Sequence, residues 1–316
     1  MSTKYRNDEL EMASFLNREL ESKDPRTFTE LYSGLRARKF IPKIPSISVY
    51  DRTYTYEVWA MTGQADFIGE HAKDLNRVEV GRREFSRSMR PLGASMGWSV
   101  LKLRGSMNAG VPMEDMTVRA ASSVIARKVD KDLAIGDVAG GYTGLCNDAG
   151  ILADNSVSPV GTYTTAANKL DSLNKLIADT RARLDYASML TGGEGIPAFG
   201  RFHILVPPVE YAALKQTPAS ASYPDTIYDV FMRQNAEWCS GIDEWSYLQT
   251  IHSGGKPRAV CYPLDSMALG AAVAEEEFVR EPAQFTGLDV SVPVFTSSGG
   301  TVIRYKPAFS YMLLGS

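Results

Sequence analysis

Residues 51–105 read DRTYTYEVWAMTGQADFIGEHAKDLNRVEVGRREFSRSMRPLGASMGWSVLKLRG. From Thr53 to Leu103 the stretch is rich in β-formers, yet Arg, Glu, Lys and Asp recur along it and no packing face of globular size emerges. Tyr54, Tyr56, Val58 and Ala60 fall on one face of the alternation, with Thr53, Thr55, Glu57 and Trp59 on the other, the pattern of a strand. A return limb is expected from about Val78 through Leu103. Between the limbs, MTGQADFIGEHAKDLNR contains Gly63, Gly69 and mixed charges, the composition of an exposed tip. The whole reads as a long charged β-hairpin over 51–105. A two-stranded ribbon of that length is marginal alone in water, so another part of the chain or other copies of it must cover it. We take the second reading.

On the C-terminal side, Val111-Pro112-Met113-Glu114-Asp115 signals a helix start, with proline and two carboxylates in the first turn. The predicted helix spans 112–136. Met113, Met116, Ala120 and Val124, joined by Ala121, Ile125, Val129 and Leu133, make a broad apolar stripe, while Arg119, Arg127, Lys128 and Lys131 form the polar face. Glycine-rich turns follow in GGYTGLCNDAG, residues 140–150. A second helix is expected over Ala166–Leu190, and Phe202–Val206 reads as a buried strand ended by prolines, with a short helix over Pro208–Lys215. A helix over Asp225–Cys239 and strands at Tyr247–Ile251 and Arg258–Tyr262 complete an α/β layer. Past Asp265, strands are expected at Phe278–Pro282, Leu288–Phe295 and Thr301–Lys306, the last two joined by a hairpin turn at Ser297-Ser-Gly-Gly. That hairpin is expected to return to the domain of the 112–136 helix, interleaving two subdomains along the chain.

On the N-terminal side, Leu10, Ala13, Leu16 and Leu20 mark a short amphipathic helix that stops at Asp24-Pro25. GLRARKFIPKIP then gathers Arg36, Arg38, Lys39 and Lys43, while Pro42 and Pro45 force an extended path. This basic arm suits contact with a neighbouring subunit or with nucleic acid.

The chain has 316 residues with 44% hydrophobic residues, enough to bury a sizeable core. Its formal charge of −3 carries no global basic footprint of a dedicated nucleic-acid reader. Cys146, Cys239 and Cys261 show no CxxC spacing, so a disulfide framework is not expected and assembly in a reducing cytoplasm is. The first residues lack a signal-peptide core, and no apolar run reaches membrane-spanning length, so no membrane partner is expected.

The order of basic arm, long hairpin, helix ending KVDKDLAIGD, turn GYTGLCNDAGI, α/β middle and GLDVSVPVFTSSGGTVIRYKP resembles the major capsid proteins of tailed bacteriophages, with sharpest matches at Asp132–Ile151 and Pro263–Pro307. The resemblance implies the α+β Johnson fold. It would divide the chain into an N-terminal arm at 1–50, an extended hairpin or E-loop at 51–105, a peripheral domain at 106–161 and 264–316 with a spine helix at 112–136, and an axial α/β domain at 162–263. It implies a homo-oligomer of hexamers and pentamers closing an icosahedral head around double-stranded DNA. Portal and scaffolding proteins, a decoration protein and non-specific contact with packaged DNA complete the implied partners. Virions would be the site of residence, assembled in the host bacterial cytoplasm. On the hairpin, Trp59, Phe67, His71, Lys73, Asp74, Arg77, Arg82 and Arg83 are expected to meet an adjacent subunit; Arg36, Arg38, Lys39 and Lys43 would touch a neighbour or DNA. Some members cross-link a loop lysine to an asparagine, but nothing in the sequence joins Lys73 to Asn147. With about forty residues before the hairpin, a separate scaffold or none is expected. The fold is shared with encapsulins, compartments that enclose a cargo enzyme, and the Leu10–Leu20 helix keeps that alternative open.

A soluble enzyme is the rival from another class. His71, His203 and His252 lie far apart without an HExxH motif, and none pairs with a cysteine at metal-ligand spacing. His203 sits in an apolar strand as a core or edge histidine. Ser253-Gly-Gly-Lys256 lacks the full phosphate-loop frame, Gly140–Gly144 is followed by a turn rather than a helix start, and Asp148 and Asp154 lack the oxygen-rich series of a calcium loop. Glu275–Glu277 reads as a solvated face, and Trp59, Trp98, Trp238 and Trp245 as core or subunit seams. No catalytic residue, cofactor or metal is expected.

Overall fold

The computed structural model describes residues 34–62, 67, 77, 79–108, 113–137, 139–190, 199–220, 223–249, 256–275 and 279–314. The helix expected at 1–24 lies outside them. One helical turn, α1 (Ala37–Phe40), precedes a ribbon of two strands, β1 (Thr53–Thr62) and β2 (Glu79–Ser88). They pair antiparallel from Thr53↔Ser88 to Thr62↔Glu79, and neither joins another sheet.

The return limb therefore ends at Ser88, short of Leu103. Met89 is the corner: it is buried, its N–H donates to Arg52 O at 2.8 Å, and it packs with Ile44, Ile47, Ala272 and Val302. Beyond it β3 (Arg90–Ser99) leaves the ribbon and pairs along ten residues with β15 (Asp289–Ile303). Val100 then opens a helix, α2 (Val100–Asn108), where alternation had suggested more strand.

The long helix is α3 (Met113–Ile135), close to the span expected. Its buried apolar residues are Ala121, Ile125, Val129, Leu133 and Ala134, whereas Met116, Ala120 and Val124, expected in the apolar stripe, are exposed. The helix stops at Gly136, whose φ of +85° suits a residue without Cβ. Its last carbonyls are capped from the glycine-rich turn: Leu145 N–H donates to Leu133 O at 3.0 Å and Cys146 N–H to Ala134 O at 2.9 Å. The turn makes a two-residue ribbon, β4 (Gly136–Asp137) with β5 (Tyr142–Thr143). At Asn147–Gly150 a short helix does begin, contrary to expectation: α4 (Ala149–Asp154) is capped by Asp148, whose Oδ1 accepts from Gly150 N at 3.0 Å and Ile151 N at 3.1 Å.

The core is built on a mixed sheet ordered β10 (Cys239–Glu244), β7 (Phe202–Val206), β11 (Arg258–Pro263), β16 (Ser310–Leu313), β6 (Ser156–Val157). Every residue of β7 and β11 is buried, so apolar side chains point to both faces of each strand, with His203 and Arg258 as the polar exceptions. Helices α5 (Ala166–Leu190) and α6 (Pro208–Gln216) fall where expected. The helix expected over Asp225–Cys239 is shorter, α7 (Ile227–Gln234), because Cys239 already starts β10; Tyr247 belongs to a 3-10 turn at Ser246–Gln249, not a strand. The final strand, β16, follows a 3-10 turn at Lys306–Ala308 and sits in this mixed sheet between β11 and β6.

The second sheet centres on β15, flanked by β12 (Leu269–Val273), β13 (Val279–Arg280), β14 (Gln284–Thr286) and β3. Ser297-Ser-Gly-Gly is no hairpin turn. β15 passes straight through it, with a register shift opposite Ala272/Val273 and φ of +71° at Gly300. The Tyr142 ring lies against Gly300, and a Cβ there would meet Tyr142 Cε2 at 2.5 Å. Gly300→Ala should therefore destabilise the subunit by about 1–3 kcal/mol through strain at positive φ, read as a lower urea midpoint; an unchanged midpoint would contradict this account of the bulge.

Candidate functional site

The ribbon carries one face toward the body at its root and leaves the rest open. Directly opposed residues share a face, so Tyr54, Tyr56 and Val58 lie with Arg87, Phe85 and Arg83. Tyr54 and Tyr56 pack on the cluster around Met89. Arg304 Nη2 donates to Tyr54 OH at 2.9 Å and its guanidinium lies 5.8 Å from the Tyr56 ring centre; Tyr56 and Phe85 stack at 5.3 Å. Arg87 Nη2 donates to Thr301 O at 2.7 Å, and its guanidinium sits 5.2 Å over the Tyr142 ring. Burial depresses the Arg87 pKa against the raising effect of Tyr56 and Tyr142.

Beyond this root, large side chains face solvent. Trp59 is 57% exposed and Val80 53%, and the side chain of Phe67 is fully exposed. Arg82 pairs with Glu57 and lies 5.8 Å from the Trp59 ring; Arg77 and Arg83 are exposed. His71, Lys73 and Asp74 lie outside the described residues. Beside β1 runs a groove of about 780 Å³, walled by Val58, Trp59, Pro42, Phe199, Met267 and Leu269. Met267 on its rim is 76% exposed. A two-stranded ribbon with exposed tryptophan, phenylalanine and valine presents apolar area that the described residues leave open.

The basic segment behaves differently from an outstretched arm. Arg36 pairs with Glu244 at 2.9 Å and donates to Glu244 O at 3.0 Å, Lys39 pairs with Asp243 at 2.8 Å, and Lys43 Nζ donates to Glu275 O at 2.8 Å. Arg38 is exposed. Ala37 N–H donates to Asp130 Oδ1 at 2.7 Å and Tyr262 OH donates to Phe40 O at 3.0 Å. Phe40 is buried edge-on against Trp245 at 5.4 Å. Ile44 N–H and Ala271 N–H complete two backbone bonds with Ala271 O and Pro42 O. Residues 36–44 thus strap the mixed sheet, the long helix and β12 together. The acids that receive the cations lie about two hundred residues away, beyond the reach of local pattern reading.

On the long helix, Arg119 and Lys131 are exposed, Arg127 Nε donates to Ser123 O at 3.3 Å, and Lys128 pairs with the buried Asp132 at 2.9 Å. Asp132 also accepts from Tyr142 OH at 3.0 Å. Burial raises the Asp130 pKa, offset in part by the N–H groups of Ala37 and Arg36. His203 Nδ1 lies 3.0 Å from Ser240 Oγ and Nε2 3.2 Å from Asp243 Oδ2; burial lowers its pKa although Asp243 opposes. Burial likewise lifts the Cys239 thiol to about 11 and those of Cys146 and Cys261 further. Among the described residues, no group of three or more His, Cys, Asp and Glu could hold a metal ion. No helix of the described residues is long and apolar enough to cross a membrane.

A family model described as major capsid protein matches residues 63–312. The fold is similar to that of the capsid of Myoviridae phage XM1, with a TM-score of 0.77 and 14% identity over 94% of this chain and 97% of that one. Gordonia phage Cozz gives 0.60 and 16% identity over 94% and 91%, and the capsid of an empty GTA particle 0.60 and 10% over 96% and 98%. No curated protein sequence matches.

Asp130→Ala leaves the buried Ala37 N–H without its acceptor and should cost about 1–3 kcal/mol, exposing Arg38 and Lys39 to trypsin. Asp130→Asn keeps an acceptor. Because the folded pKa of Asp130 is raised, the ionised wild-type group penalises the fold as pH climbs through and above the unfolded value, so Asp130→Asn should weaken that loss on going from pH 4 to 7. Equal tryptic half-lives for wild type and Asp130→Ala would contradict the strap.

Proposed function

The chain belongs to the major capsid protein family and is a structural, non-enzymatic protein of a phage head shell, and from that premise we propose how it builds the shell. The observation that carries the reading is the ribbon of β1 and β2, gripped at its root and, among the described residues, exposed along the rest of both strands. Neighbouring copies supply the cover: Trp59, Phe67, Arg77, Arg82 and Arg83 meet the adjacent subunit, with His71, Lys73 and Asp74 completing the contact. Each exposed ion pair contributes about 0–1 kcal/mol, so cohesion comes from the summed apolar and polar area over many copies. The weakness of each contact lets a misplaced subunit leave.

In this reading the mixed sheet with α5, α6 and α7 is the axial part of the subunit, spanning 162–263 with β6 and β16 added from either side. The sheet around β15, with α3, is the peripheral part. Hexamers and pentamers close an icosahedral head of a tailed phage around double-stranded DNA, with a portal, a scaffold and a decoration protein as further partners. Arg38 and the exposed cations Arg119 and Lys131 are the candidates for non-specific contact with phosphate, and the chain's mild negative charge keeps that contact weak enough for DNA to slide. Assembly takes place in the host cytoplasm.

Electron microscopy of the purified protein should display closed shells, and virions should yield nuclease-protected duplex DNA; a co-purifying cargo enzyme without DNA would overturn the viral head. Replacing Arg77, Arg82 and Arg83 together by Glu should reduce particle yield about tenfold, equivalent to about 1.4 kcal/mol, with circular dichroism of the subunit unchanged. Normal yield would refute the charge role of the ribbon.

A further inference from the structure

One set of contacts joins the ribbon's root to the long helix. Arg87, next to last in β2, donates to Thr301 O at 2.7 Å and lays its guanidinium 5.2 Å over the Tyr142 ring. Tyr142 OH donates to Asp132 Oδ2 at 3.0 Å, near the C-terminal end of α3. Asp132 is buried, and its other oxygen accepts from Lys128 at 2.9 Å. Thr301 closes a parallel route, since its hydroxyl donates to Leu133 O at 2.7 Å on the same helix. The ring of Tyr142 cannot shift freely, because Gly140 and Gly300 bracket it with no room for a Cβ. The second grip, Arg304 on Tyr54 and Tyr56, ties the ribbon to β15's end and to Ser266 O.

We propose that Arg87, Tyr142 and Asp132 are positioning residues that lock the tilt of the ribbon to the long helix and thereby set the curvature of the shell. The inference rests on the capsid reading above. A ten-residue strand is about 33 Å long, so a tilt of about 5° at the root moves the far end by about 3 Å, the length of a hydrogen bond. A change that small at Arg87 decides which neighbouring groups the outer ribbon reaches. Interdigitated packing around Tyr142 transmits it, because close-packed side chains move together or not at all.

The test compares shells of wild type, Arg87→Met, Tyr142→Phe and the double variant by cryo-electron microscopy, scoring diameter and the number of size classes. Arg87→Met and Tyr142→Phe should each shift the mean diameter or split a single size class into several. The double variant should go no further than Arg87→Met, because residues acting through one chain of contacts are not additive. Tyr142→Phe keeps the ring and its packing, and carries the comparison together with Asp132→Asn if Arg87→Met fails to fold. Shells of wild-type diameter in one class from the variants would overturn the inference alone, as would effects that sum in the double variant. Failure of the wild type to form any shell would remove the capsid reading and this inference together.

Discussion

Two antiparallel strands of ten residues each, with no third strand among the described residues, are marginal by themselves in water. Everything else in the molecule answers to that constraint. At the root, two arginines grip the ribbon from different directions, Arg304 through Tyr54 and Tyr56 and Arg87 through Thr301 and Tyr142. The partly buried guanidinium of Arg87 on the Tyr142 face is worth more than an exposed one, so the root is held while the described outer strands stay exposed. Outside the root, Trp59, Phe67, Val80, Arg77 and Arg83 face solvent, the surface that the proposed neighbouring copies would cover.

Behind the ribbon lies a stiff body. The glycine-rich turn 140–150 caps the C-terminus of the long helix through Leu145 and Cys146 and starts the short helix through Asp148, so one loop joins the two helices. The strap at 36–44 ties the mixed sheet to β12 and the long helix through Asp130, Asp243 and Glu244. In the proposed shell of hexamers and pentamers the same chain would fill places of slightly different angle, and bending is cheapest in the element with the fewest contacts of its own.

Elements with strong local periodicity were legible from sequence. The α5 helix and the strand Phe202–Val206 announced themselves, one by its leucine spacing and the other by an unbroken apolar run before Pro207. The misread elements were those decided by distant partners. Ser297-Ser-Gly-Gly has turn composition, yet it is a bulge because Tyr142 occupies the space beside Gly300. The β pattern continues without a break from β2 into β3, and only the burial of Met89 among Ile44, Ile47, Ala272 and Val302 turns the corner. Arg36, Lys39 and Lys43 looked like a solvent-facing arm because their partners are far off in sequence. Of the expected ribbon contacts, Trp59, Arg77, Arg82 and Arg83 are exposed in the subunit, while the root anchors Arg87 and Arg304 carry no local signal in the sequence.

The central claim is that the ribbon is completed by neighbouring copies. Amide hydrogen exchange along Thr53–Ser88, compared between dissociated subunits and assembled shells, addresses it directly. The account predicts fast exchange at the outer ribbon in dissociated subunits and strong protection in shells, with the root around Tyr54 and Arg87 protected in both. Equal protection of the outer ribbon in the solitary subunit would contradict it.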